Sequence, residues 1–312
     1  MRTLTIGFFG KHIRFIEINK YKEITFIDEI ITDNEISEVL SIKDSDNPVI
    51  EEYSMQINEV LKKKTFHAEK VGVVLDSGNS FVYALPVDYD EDEGMAKRNI
   101  IWDFSNYFSE DYNNYKIVYY KMSGETPSDT VKNTLVIAFE NSRLDLLRKI
   151  FYNFNMKIHL ADYEHLSAEK CIREIYKNEF IENPSQLGLI IGVKNDRIDY
   201  SIVDLKNIYY YDFYTIKRAN YKEPLTSLLA GINEKINTLN IFKVFLYGED
   251  FVLPSRDLIN STNFFRHIPV VIANPFIALN FGANLKDYSG IEHEGYKFIS
   301  VCGLSLKGSE KT

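Results

Sequence analysis

The stretch LTIGFFGKHIRFIEI at residues 4–18 has a counterpart, LIIGVKNDRIDYSIV, at residues 189–203. Each closes an apolar run on Ile-Gly. Six residues past that Gly, at Ile13 and Ile198, each begins an alternating stretch with an aromatic two places further on. Alternation of apolar and polar side chains marks a strand with one buried face, so each segment reads as strand, tight turn, strand. Working outward, residues 4–9, 12–18 and 24–31 form a three-strand meander. A helix over roughly 50–64 follows, with Met55, Ile57, Val60 and Leu61 at helical spacing, and strands over 70–76 and 80–85. The acidic loop at 88–93 leads to a helix near 95–109 with Ile101, Phe104 and Phe108 on one face. Strands near 115–122 and 132–139, a helix at 141–154, a short strand at 156–160 and a helix at 163–180 complete the first half.

The polar segment IENPSQ, 181–186, is the clearest boundary, and after it the order restarts. Strands at 187–193, 197–204 and 207–216 precede a helix near 222–238 and a strand at 242–247. A helix near 253–260, a strand at 269–272 and a last strand running into a helix within FISVCGLSLK end the chain. A meander followed by a helix, made twice, predicts a duplicated α/β unit of two lobes with a cleft between them.

Composition removes several function classes. The chain has 312 residues, 45% of them hydrophobic and 26% charged, which are globular values with room for a sizeable core. Its 36 basic residues stand against 45 acidic ones, a net charge of −9 that argues against nucleic acid or an anionic membrane as a partner. The single basic run, Lys62-Lys63-Lys64, reads as a solvated helix end. Two cysteines, Cys171 and Cys302, outside any C-x-x-C read as small core residues of a reducing compartment. No apolar stretch approaches the roughly 18–20 residues of a membrane span, and no secretory signal precedes the first strand. The expectation is a soluble cytoplasmic protein whose membrane work, if any, passes through a partner. P-loop and nucleophile-elbow motifs are absent. The six histidines show no ligand spacing, so the His159–His165 junction with Asp162 and Glu164, and the Glu292-His293-Glu294 stretch, are expected to hold no metal.

Four fragments in order resemble a family. They are Ala84-Leu85-Pro86 followed by Ile100-Ile101-Trp102-Asp103, then Asp162, Glu164 and Ser167-Ala168, then IPVVIANPF at 268–276, then VCGLSL at 301–306. Together with the duplicated meander they resemble the actin-like ATPase superfamily of actin, heat-shock chaperones and sugar kinases. Within it they look like the branch of the type IV pilus assembly protein PilM and the division protein FtsA. The resemblance implies an α/β, actin-like (ribonuclease H-like) fold, with a first lobe over 1–185, a PilM/FtsA-type subdomain inserted at about 73–160, and a second lobe over 186–312. An FtsA-like filament former is the less favoured branch, because KGSEKT at the C-terminus is no amphipathic membrane helix.

The chain departs from that family where chemistry is done. Family members open each lobe with an Asp before the glycine turn, for the metal and its water. Here those positions fall on Thr5 or Gly7 and on Ile190. The adenosine motif reads Gly248-Glu249-Asp250, with acids where backbone meets nucleotide. The resemblance therefore implies a vestigial nucleotide cleft at Gly7, Gly10, Lys11, Gly192, Lys194, Asn195, Asp196, Gly248, Glu249 and Asp250. Burying a triphosphate without metal carboxylates costs several kcal/mol. Lys11 and Lys194 could each offset part of this, although solvated lysines on tight turns are the simpler expectation. No cofactor is expected, or at most weak Mg-ATP. An active ATPase or kinase with carboxylates displaced to Asp196, Glu249 or Asp250 is the alternative. By resemblance again, the cleft beside the inserted subdomain receives the cytoplasmic N-terminal tail of a single-span, PilN-like membrane protein. Leu85, Pro86 and Trp102 are its candidate contacts, with Trp102 otherwise expected on the packed helix face. Tyr209 and Tyr211, in the aromatic strand 209–214, are candidates because Tyr favours interfaces.

Overall fold

The computed structural model describes residues 3–42, 47–63, 68, 70–87, 93–108, 111–123, 133–152, 156–216, 222–236, 239–261, 265, 267–285 and 291–310. Most of the acidic loop at 88–93, Lys64 and the last two residues lie outside them, while Lys62 is exposed as expected. The first half contains β1 (Thr3–Phe9), β2 (His12–Ile18), β3 (Glu23–Ile31), α1 (Ile36–Leu40), α2 (Pro48–Lys63), β4 (Lys70–Leu75) and β5 (Phe81–Leu85). It continues through α3 (Glu93–Tyr107), β6 (Tyr115–Lys121), β7 (Thr134–Glu140), α4 (Asn141–Tyr152), β8 (Lys157–Tyr163), α5 (Glu164–Ile175) and α6 (Lys177–Glu182). The second half contains β9 (Leu187–Val193), β10 (Arg197–Val203), β11 (Ile208–Thr215), α7 (Lys222–Ile236) and β12 (Ile241–Gly248). It ends with α8 (Val252–Ser261), β13 (Val270–Ile272), β14 (Asn280–Phe281) and α9 (Ile299–Glu310).

Two sheets carry the duplication. One has the order β14-β3-β2-β1-β4-β8 and the other β11-β10-β9-β12-β13. In each, the meander is antiparallel and its first strand then pairs in parallel with the strand after the crossover, β1 with β4 and β9 with β12. Every residue of β1 and of β10 is buried, which requires cover on both faces. On the first sheet, α1, α2 and α4 cover one face with Ile36, Tyr53, Ile57 and Leu147, while Met55 of α2 points to solvent. The other face shares a cluster with α5, α9 and the second sheet, where Ile16, Ala168, Val301, Ile190 and Phe245 meet. Beyond the second sheet, α7 and α8 bury Leu225, Leu228 and Ile259. The two lobes are thus welded through a pair of shared helices.

The helix pair α5–α9 crosses closely because α9 has Gly303 at the contact. A Cβ there would sit 1.7 Å from the Ser167 carbonyl oxygen. This helix corrects one expectation, since residues 299–310 are helical throughout and no strand precedes them. The polar stretch 291–297 is a 3-10 turn rather than a loop. Helix α9 packs on β1, β2 and β4, and β14 pairs with β3. Residues beyond 186 therefore belong to both lobes. The inserted unit is also narrower than 73–160. Its sheet, β5-β7-β6, spans residues 81–140, whereas β4 and β8 are strands of the first sheet. Among the described residues no helix is long and apolar enough to cross a membrane.

Candidate functional site

The two glycine turns face one another across a cleft of about 330 Å3 lined by Gly10, Asp76, Glu164, Lys194, Asn195 and Glu249, among others. The duplication explains this arrangement. Parallel pairing of β1 with β4 places Phe8 beside Leu75, so the first turn ends next to Asp76. Parallel pairing of β9 with β12 places Val193 beside Gly248, so the second turn ends next to Glu249. The end of β4 thus carries Asp76 beside the first turn, and the end of β12 carries Glu249 beside the second.

In the first turn Gly10 takes φ +55°, the left-handed conformation a tight hairpin needs. Its N–H donates to Asp76 Oδ2 at 2.8 Å, and Asn79 donates to Oδ1 at 2.8 Å. Burial pushes Asp76 up to about 6 against these two bonds. Lys11 is half-buried, is not among the residues lining the cleft, and donates to the Asp33 carbonyl at 2.5 Å.

Lys194 in the second turn corrects the expectation of a solvated lysine. Its side chain is only 5% exposed, 2.8 Å from Glu164 and 2.7 Å from Asp199. Asp199 is the hub of this site. It accepts from Tyr163 Oη at 2.9 Å, Tyr211 Oη at 2.5 Å and Arg197 Nε at 2.9 Å. Although burial opposes it, Lys194 and Arg197 hold the Asp199 carboxyl well below its usual range. Burial lowers the tendency of Lys194 to be charged, but Asp199 and Glu164 more than compensate and raise its pKa well above normal. Glu164 is left the weaker partner. Burial lifts it to about 8 despite Lys194, with Asp76 and Glu249 adding repulsion.

Glu249 closes the cleft from the other lobe. Arg14 of β2 donates to both its oxygens, at 2.6 and 2.7 Å, and also to Glu29 at 2.8 Å and the Lys297 carbonyl at 2.9 Å. The Arg14 side chain is 1% exposed and lies between the Phe9 and Phe298 rings. Its two carboxylate partners outweigh the cost of burial and hold its pKa above the usual value. This bidentate pair spans 235 residues and ties the first sheet to the strand end of the second.

The glycines of the cleft serve packing. A Cβ on Gly7 would lie 2.3 Å from the Phe9 ring, and one on Gly192 would lie 2.5 Å from Tyr247 Oη. Gly248 has φ +132°, and a Cβ there would lie 2.0 Å from the Val193 oxygen. Tyr247, which covers Gly192, donates to or accepts from His165 Nδ1 at 2.8 Å, while the other ring nitrogen meets Ser201 at 2.9 Å. Burial pushes His165 down to about 3, so the ring is neutral.

Six carboxylates line the cleft, Glu35, Glu38, Asp76, Glu164, Asp196 and Glu249, against Lys194 as the one cation among its lining residues. They do not assemble a metal site. Among the described residues no three His, Cys, Asp or Glu side chains converge to hold an ion. Thr5 and Ile190 are buried inside β1 and β9. The displaced carboxylates are engaged separately. Asp196 accepts from Ser77 at 3.2 Å, Glu249 is held by Arg14, and Asp250 reaches Lys297 at 3.6 Å. At the other metal candidates, Asp162 pairs with Lys307, and Glu294 with Lys297.

The proposed partner contacts scatter. Leu85 is buried with Val87, Ala96 and Ile100 under the small sheet, and Tyr211 is buried in the Asp199 hub, so neither presents a side chain to a partner. Pro86 is exposed, and Tyr209 is half-buried and donates to Asp204 at 2.9 Å. Trp102 is 67% exposed, because α3 buries Ala96, Ile100 and Phe104 instead. It is not part of the packed face. Sequence reasoning missed the roles of Arg14, Asp76, Tyr163, Arg197 and Asp199. The signal available was Arg197-Ile198-Asp199, two charges on one face of a strand otherwise apolar enough to be buried.

No protein-family model matches the chain, and no curated protein matches it. Solved structures do. The chain superposes on a PilM–PilN type IV pilus biogenesis complex with a TM-score of 0.72 at 11% identity, covering 98% of each chain. The fold is actin-like. A Bacteroides thetaiotaomicron protein of actin-like ATPase fold and unknown function matches with a TM-score of 0.51 at 12% identity, over 89% of this chain and 95% of that one. The cleft described above lies between the two glycine turns and is lined by the chain's own ion pairs.

Proposed function

We propose that this actin-like chain is a catalytically silent, PilM-like scaffold of an inner-membrane assembly platform, of the type IV pilus or type II secretion kind. In this reading it is cytoplasmic and peripheral, and it holds the cytoplasmic N-terminal tail of a single-span, PilN-like protein. The observation that carries the reading is the full-length likeness to the PilM–PilN complex at a TM-score of 0.72. The cleft supports the silent half. A phosphate entering it meets six acidic side chains, and the one lysine there already has two of the protein's own acidic partners. Pulling Lys194 away would leave Asp199 short of one buried counter-ion, and breaking such a pair costs about 3–5 kcal/mol. The exposed Trp102 beside the small sheet is the contact we assign to the tail, since large exposed aromatics anchor interfaces. Co-expression with a single-span, PilN-like membrane protein, with and without its cytoplasmic N-terminal tail, tests this. Co-purification that needs the cytoplasmic tail supports the scaffold. Mg-dependent ATP hydrolysis that disappears with Lys11→Ala or Lys194→Ala overturns it.

A further inference from the structure

The chain has two cysteines, Cys171 and Cys302, and folding brings them together. Cys171 lies on α5 and Cys302 on α9, the helix pair that both sheets share. Both are free thiols and both are fully buried. The helices cross at Gly303, the residue after Cys302. A Cβ on Gly303 would lie 1.7 Å from the Ser167 oxygen and 3.2 Å from the Cys171 nitrogen. The backbone of α9 thus rests on the turn of α5 that ends at Cys171. The Cys302 and Cys171 thiols also hydrogen-bond to one another.

Packing alone does not call for sulfur at this crossing. Ala168 occupies the same cluster with a methyl group, and a free cysteine packs as a small apolar side chain. Two thiols in mutual contact can do something a methyl cannot. Forming a disulfide takes close backbones and side chains that point at one another. The Gly303 crossing supplies the closeness, and the hydrogen bond supplies the direction. Burial, and then the bond to Cys171, push the Cys302 thiol well above its ordinary range. The resting pair is therefore held as thiols and reacts slowly, through local opening of the helix pair.

We propose that Cys171 and Cys302 form a reversible redox site, closed by hydrogen peroxide into a disulfide that staples α5 to α9. One thiolate attacks a peroxide oxygen and expels hydroxide, leaving a sulfenic acid. The second thiol then attacks that sulfur, the S–S bond forms and water leaves. Two thiols are oxidised and one peroxide is reduced to two waters. The bond closes a loop of about 130 residues, so it stabilises mainly by restricting the unfolded chain. Since α5 and α9 carry both lobes, the staple fixes the lobes to one another covalently. This assignment is independent of the scaffold reading and of the front cleft.

Treating the folded full chain with peroxide tests it. Peptide mapping by mass spectrometry under non-reducing conditions is expected to find the Cys171 and Cys302 peptides joined within one chain, lighter by two hydrogens. The Tm should rise by about 5–15 °C on oxidation and return when dithiothreitol reduces the bond. Cys171→Ala and Cys302→Ala each remove one partner, and peroxide should raise the Tm of neither. The crosslink is read on the unaltered chain, so the test stands even where a variant fails to fold. The proposal fails if peroxide leaves both thiols free or carries them to sulfinic acids without a crosslink. It fails equally if the crosslink joins two chains, or if the crosslinked chain unfolds at the same or a lower temperature.

Discussion

Replacing Arg14 by Met should destabilise the protein severely, and replacing Glu249 as well should rescue it. Arg14 is almost wholly buried and is the bidentate partner of Glu249, which is itself buried. Met leaves the Glu249 carboxylate facing a dry interlobe seam without its counter-ion. Removing one member of such a pair costs about 3–5 kcal/mol. For a chain of this size that is a fall in Tm of roughly 6–20 °C. Glu29, the other carboxylate on Arg14, adds less because it is a quarter exposed and keeps His12 at 2.9 Å. The double variant Arg14→Met/Glu249→Leu removes both charges and leaves apolar side chains beside the Phe9 and Phe298 rings. Substituting a buried pair as a whole is often close to neutral, so most of the lost stability should return. Thermal and urea unfolding of wild type, both singles and the double measure the coupling directly. A single variant within about 1 kcal/mol of wild type, or a double as unstable as the single, would refute the latch.

Three further outcomes follow from the same geometry. Glu164 is raised by burial to about 8 from 4.5, so the folded state binds its proton more tightly than the unfolded state. Its contribution is full below pH 4.5 and is lost as pH rises toward 8, at up to about 1.4 kcal/mol per pH unit. Glu164→Gln should flatten that part of the stability–pH curve, as read by thermal unfolding. Gly303→Ala places a Cβ against the Ser167 oxygen and should cost about 1–3 kcal/mol or more by forcing α5 and α9 apart, visible as a lower urea midpoint. Trp102→Ala, at an exposed site, should leave stability within about 0.5 kcal/mol while weakening capture of the partner tail in a pull-down.

The order of strands and helices was legible because period-two and period-3.6 patterns are local. The paired turns at Gly10 and Asn195 needed no knowledge of tertiary structure to be placed. The start of the last helix was misplaced, with a strand expected before it, because Ile299–Leu306 is buried all round and no polar stripe marks its period. Trp102 was misplaced by choosing Ile101, Phe104 and Phe108 as the buried face when α3 uses Ala96, Ile100 and Phe104. A shift of one residue turns a helix face by about 100°.

The site was half legible. The loss of carboxylates at Thr5 and Ile190 could be read from the two opening motifs, and both positions are buried in strands. What fills the space could not be read, because the answer is long-range. Arg14 meets Glu249 across 235 residues, and Tyr163 meets Asp199 across 36. The glycines were read as phosphate turns from their position in the motif. Their retention is explained equally by the rings and carbonyls that crowd Gly7, Gly192 and Gly248.

The central claim is that the interlobe cleft is occupied by the protein's own ion pairs and takes no nucleotide. Isothermal titration of the purified chain with Mg-ATP tests it most directly. The account predicts no saturable heat up to about 1 mM nucleotide, a free energy of binding weaker than roughly −4 kcal/mol. Saturable binding in the micromolar range, lost in Lys194→Ala, would contradict it.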